Sequence, residues 1–161
     1  MNAPAPLPHF QLSLVLEASP ATVYAALTRP EGLRGWWTED CDADTDVGGM
    51  LRFRFGENHK AMRIEKLEAG REVQWLCTEA AIVSHGLKDP AEWVGTRMLF
   101  RLQPEGQGRT RLDFQHLGLT SALECYALCQ NGWNYFLNSL RQYVTTGSGT
   151  PHAMATECSG H

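Results

Sequence analysis

Residues 92–117 read EWVGTRMLFRLQPEGQGRTRLDFQHL, and residues 123–147 read LECYALCQNGWNYFLNSLRQYVTTG. The first stretch alternates twice. Met98, Phe100 and Leu102 share one face, as do Leu112, Phe114 and His116, and the PEGQG break at 104–108 between them is a hairpin signal. Strands are therefore expected over residues 92–103 and 109–117. The period then changes. Tyr126, Cys129, Trp133, Phe136, Leu137, Leu140, Tyr143 and Val144 form one apolar stripe at helical spacing, which predicts a long helix over residues 122–145. Gly147 and Gly149 end it, and Pro151 bars its resumption. A hairpin followed by one long amphipathic helix predicts a sheet roofed by that helix. A single helix does not close a curved sheet everywhere, so a cavity is expected between the two layers.

Upstream, Phe10, Leu12, Leu14 and Leu16 fall on one face of a strand over residues 9–17. Ser19 reads as an N-cap, with Pro20 at the first position of a short helix carrying Val23, Tyr24, Ala26 and Leu27. Pro30 breaks it, and a second helical turn over residues 31–37 ends in Trp36-Trp37, a pair in which at least one ring should be buried. Residues 38–46 alternate and are acidic, as in an edge strand. Gly48-Gly49 marks a turn, and Leu51, Phe53 and Phe55 share a face of the strand that follows. Residues 60–67 and 72–78 read as further strands, with Val73, Trp75 and Cys77 on one face of the second; residues 81–91 read as a loop. One strand, two short helices, several antiparallel strands and a long helix make an α+β fold. One domain over residues 9–150 is expected, with flexible tails at 1–8 and 151–161.

Composition narrows the function classes. With 43% hydrophobic and 20% charged residues, a chain of 161 residues belongs with globular domains that build a real core. The net charge of -4 and the lack of any Lys/Arg block argue against a nucleic-acid partner. No apolar run approaches the roughly 20 residues that span a bilayer. The opening MNAPAPLPHF has neither the basic nor the apolar region of a secretory leader. Five cysteines, an odd number, predict reduced thiols and a cytoplasmic location.

The pieces ASPATVYAALTRPEGLRGWW, VGGMLRFRFG, VQWLCT and GRTRLDFQHLGL, followed by a helix containing Gly-Trp, occur in the order seen in a known superfamily. From about Gln11 to Pro151 the chain resembles the START-like helix-grip (SRPBCC) superfamily, within the group named after the activator of Hsp90 ATPase. EWVGT, HLGL, ECYALC and LRQYVTTGSGTP look like a subgroup of small bacterial proteins. The resemblance implies an antiparallel sheet of about seven strands gripping the C-terminal helix around a hydrophobic cavity. It implies no single chemistry, since members include lipid carriers, polyketide cyclases, hormone receptors and co-chaperone domains.

On that fold the ligand-facing positions are expected to be Trp37, Phe53, Trp75, Met98, Phe100, Phe114, His116, Trp133 and Leu137. Aromatic residues at these periods also serve as plain core. His116 faces inward by parity and is the candidate acid/base if the protein is an enzyme; a buried histidine satisfied by the protein itself is the competing account. Cys125 and Cys129 lie four apart, but structural zinc needs four ligands and the pair is read as buried thiols, so no metal and no cofactor are expected. Asp40, Asp42, Asp44 and Asp46 fail the calcium-loop test: counting from Asp40, the required Gly and Glu positions hold Thr45 and Leu51. Glu92 and Arg97 are read as a charged pair near the cavity mouth. The leading expectation is a monomer or homodimer that binds a small apolar or amphipathic ligand. The alternatives are a polyketide cyclase/aromatase-like enzyme and an Hsp90 co-chaperone-like module.

Overall fold

The computed structural model describes residues 9–83, 88–120 and 123–153. Its elements are β1 (Phe10–Leu16), α1 (Pro20–Thr28), α2 (Pro30–Trp36), β2 (Cys41–Ala43), β3 (Met50–Phe55), β4 (Asn58–Glu68), β5 (Glu72–Ala81), β6 (Arg97–Pro104), β7 (Thr110–Leu117) and α3 (Tyr126–Thr146). The seven strands form one antiparallel sheet in the order β1-β7-β6-β5-β4-β3-β2. The first strand thus pairs with the last, Phe10 opposite His116 and Leu16 opposite Thr110. The helix-grip α+β architecture expected from the sequence is the one observed.

Local chemistry accounts for the helix ends. Ser19 caps α1, its Oγ accepting from the Thr22 amide at 3.2 Å, with Pro20 preset for the first turn. Pro30 then opens α2 directly, with Arg29 as the shared junction. At the far end Gly147 adopts φ 87°, a left-handed cap, and its N–H reaches the Tyr143 carbonyl at 2.8 Å.

Three expected elements shorten, while β4 begins at Asn58 and β5 runs on to Ala81, the first residue of the expected loop. The strand expected over residues 92–103 begins only at Arg97. Gly95 turns at φ 89°, and main-chain bonds from Val94 to Ala91 and from Thr96 to Trp93 fold residues 91–96 into turns. The acidic edge strand contracts to Cys41–Ala43 because the chain turns back on itself, with the Asp44 amide bonded to the Met50 carbonyl. The long helix starts at Tyr126, since Leu123 and Tyr126 close turns of their own on Thr120 and Leu123. Of the expected tails, residues 1–8 and 154–161 lie outside the described residues.

Past α3 the chain doubles back across α2. His152 bridges Thr38 in parallel fashion, its N–H donating to the Trp37 carbonyl at 2.8 Å and its carbonyl accepting from Glu39 at 2.9 Å. The joint is fully buried Ser139 on α3. Its hydroxyl donates to the Trp36 carbonyl and accepts from the Thr150 amide, both at 2.7 Å. Gly149 is required beside it, because a Cβ there would lie 2.6 Å from the Gly35 carbonyl oxygen. Ser139→Ala should therefore strand a buried carbonyl and an amide together. The expected loss is on the order of 1–3 kcal/mol in urea denaturation, against near-neutrality for Ala at exposed Ser148.

Candidate functional site

Between α3 and the β3–β5 side of the sheet lies a cavity of about 200 Å³. That is the space of roughly seven waters at about 30 Å³ each. Trp37, Ile82, Trp93, Cys129 and Trp133 line it as buried residues; Phe55, Asn58, Lys60, Leu128, Phe136 and His152 line it as half-buried ones. Gly132, on α3 beside Trp133, completes the wall.

Three indoles, Trp37, Trp93 and Trp133, form part of the wall. Trp133 stacks on Trp93, ring centres 5.8 Å apart and planes 13° off parallel, and lies 5.3 Å from Trp37. Trp37 stacks in turn on Trp36 and Trp75. Both rings of the Trp36-Trp37 pair are buried, and the Trp36 Nε1–H is held by the Ala26 carbonyl at 2.8 Å.

Of the nine positions singled out in the sequence, Trp37 and Trp133 reach the cavity surface. Phe53 and Trp75 pack behind Trp37, and Phe100 and Phe114 form a tilted aromatic pair behind Trp133. Met98 and Leu137 are fully buried in the same core.

His116 sits behind the wall with both ring nitrogens engaged. The Trp133 Nε1–H donates to its Nδ1 at 2.9 Å, which makes Nδ1 the acceptor. Its Nε2 therefore carries the proton, donated to Thr96 Oγ1 at 2.8 Å, and the Thr96 hydroxyl donates to the Trp93 carbonyl at 2.6 Å. Burial, assisted by the charge on Lys60, pulls the imidazole down to about 3, so it stays neutral at physiological pH.

The expected Glu92–Arg97 pair is not formed. Arg97 reaches Glu65 at 3.1 Å. The Glu92 carboxylate accepts the amide N–H groups of Glu124 and Cys125 at 3.1 and 3.0 Å, capping α3 where Cys125 supplies no side-chain cap. The Trp93 indole N–H reaches Cys129 Sγ at 3.0 Å. Cys129 is drawn below the usual thiol range by its hydrogen bond from Cys125, aided by Trp93 and the charge on Lys60. Cys125, the donor, is pushed up. With both nitrogens of His116 in use, no third ligand joins the two sulfurs, and among the described residues no cluster of three metal-ligating side chains occurs.

Lys60 is the residue that sequence reading passed over. It lies opposite Phe53 in the β3–β4 ladder and shares the inward parity of Met62 and Ile64. Its Nζ stands 4.1 Å from the Trp93 ring centre and 4.7 Å from that of Phe55. Loss of hydration among these groups draws the amine below its ordinary range. The alternation Lys60-x-Met62-x-Ile64 was the available signal. Trp93, Cys129 and Gly132 were visible as residues, but their convergence depends on the turn at 92–96.

A family model described as activator of Hsp90 ATPase homolog 1-like protein matches residues 17–145. No curated protein matches the sequence. Among solved structures, the Aha1 dimer from Colwellia psychrerythraea is 28% identical with TM-score 0.75, the match covering 89% of this chain and 100% of that one. MLL2253 from Mesorhizobium loti is 19% identical with TM-score 0.68, over 84% of this chain and 97% of that one. CalU16 from Micromonospora echinospora is 21% identical with TM-score 0.64, over 87% and 75%. The last two are similar in fold.

The neutral, buried His116 has a pH consequence. Unfolding restores its ordinary value near 6.5, so between about pH 3 and 6.5 the unfolded chain binds the extra proton. The stability it confers is complete above pH 6.5 and drains away as pH falls toward 3. Denaturation midpoints taken from pH 6.5 down to 4.5 should decline with a slope of up to about 1.4 kcal/mol per pH unit, and His116→Gln should flatten that slope.

Proposed function

The chain belongs to the activator of Hsp90 ATPase homolog 1-like family, and from that premise we propose that it binds a small hydrophobic or amphipathic molecule in the cavity under α3. The observation that carries this reading is Gly132. Glycine inside a helix costs roughly 0.5–1 kcal/mol relative to alanine. A Cβ built at Gly132 meets nothing within 4 Å. No tight packing therefore demands the glycine, and its missing side chain leaves room in a wall otherwise built of large side chains, three of them indoles. A helix weakened where the fold does not require it supports space held for an occupant.

The engaged nitrogens of His116 support binding over turnover, since an acid/base group needs a nitrogen open to its substrate. The four described cysteines are free, which supports a reducing, cytoplasmic setting. Among the described residues no helix is long and apolar enough to cross a membrane. The dimeric state of the Colwellia relative favours a homodimer here. The family's description, activator of Hsp90 ATPase homolog 1-like, carries the second reading, a module that contacts an Hsp90-type chaperone, which a pull-down distinguishes.

Trp37, Trp93 and Trp133 make the cavity self-reporting. Titration with n-octanol should change tryptophan emission and raise the melting temperature. Gly132→Leu should fill the cavity and abolish the response while leaving the protein folded, and Gly132→Ala should stabilise it by about 0.5–1 kcal/mol. Octanol binding that persists in Gly132→Leu would contradict the reading.

A further inference from the structure

We propose that the occupant of this cavity is a small amphipathic carboxylate whose anionic end pairs with Lys60. The inference deepens the binding reading above and rests on it. Besides Lys60, the described wall holds apolar and aromatic side chains with Asn58, Cys129 and His152, and no carboxylate. Lys60 brings an amine into this setting, and its neighbours are the faces of Trp93 and Phe55. Among the described residues no aspartate or glutamate forms an ion pair with it, although several of the sheet's other basic residues have such partners: Lys66 holds Glu68 and Glu72, Arg97 holds Glu65, and Arg54 holds Asp40 and Asp42.

Aromatic faces offset part of the cost of partly drying an ammonium, but a charge drawn out of water is ordinarily matched by an opposite one. Here the protein leaves that partner to be supplied. The lowered proton affinity of Lys60 is what an unmatched amine in an apolar surround should show, and an anion placed beside it reverses the shift.

The geometry also selects the kind of anion. A phosphate carries roughly two charges and three strongly accepting oxygens, and calls for several donors. One lysine suits one carboxylate. The remaining wall, Ile82, Leu128, Phe136 and the indoles, suits a short alkyl or single-ring tail, and about 200 Å³ leaves room for little more.

The test compares octanoate with n-octanol, probes of equal chain length that differ in head group, by calorimetry at pH 7 on the full chain. Octanoate should bind about tenfold tighter or more, as a charge-assisted hydrogen bond confers. In Lys60→Met, which keeps much of the length and apolar character of the stem, the preference for octanoate over octanol should vanish. Equal affinity of the wild type for the two probes overturns the proposal and leaves the binding reading standing, as does an octanoate preference that survives in Lys60→Met. If neither probe binds the wild type, the binding reading itself fails.

Discussion

A relay of hydrogen bonds holds the roof on the sheet: the Trp133 indole to His116, His116 to the Thr96 hydroxyl, and that hydroxyl to the Trp93 carbonyl. Each group in it is buried, and each donor meets an acceptor. The dry interior makes the arrangement demanding, because a group left without a partner there costs its full desolvation. Trp133 consequently has one permitted orientation, with its ring flat against Trp93. The cavity wall inherits its shape from that orientation.

The relay depends on a turn. Residues 92–96 dock onto the start of α3 through main-chain capping by Glu92 and the indole–sulfur bond from Trp93 to Cys129, while Thr96 holds His116. Three kinds of contact and a turn are thus supplied within five residues: a carboxylate cap, an indole donor and a buried hydroxyl, with a left-handed glycine between the last two. The polar partners that seat the helix come from this segment, from His116 on β7 and, at the far end, from the Trp36 carbonyl and the Thr150 amide. The apolar face of α3 brings the helix to the sheet, and these contacts fix where along the sheet it rests.

Much of the fold was legible because burial writes period into sequence. Met98-x-Phe100-x-Leu102 and Leu112-x-Phe114-x-His116 gave strands and facing, and the stripe from Cys129 to Leu140 gave the helix. The turn at 92–96 was misread as strand, since Trp93, Val94 and Thr96 favour strands and the reversal at Gly95 is set by contacts with a helix some 30 residues away. The cavity lining was less legible than the core. Parity identifies inward positions, and it placed Phe53, Trp75, Met98, Phe100 and Phe114 inside. Whether an inward residue meets another side chain or open space is decided by three-dimensional gaps, such as the one left by Gly132. Lys60 went unnoticed for a related reason: its charge suggests solvent, while its parity points inward.

The cavity is assembled from both ends of the chain. Trp37 comes early, and His152 follows only after all seven strands and α3. Phe10 and its neighbours find their partner strand only at residues 110–116. On the ribosome, therefore, no truncated nascent chain possesses the complete wall. An occupant meets a finished binding site only once synthesis has passed His152, and its binding then selects the folded form over chains that stop short of it.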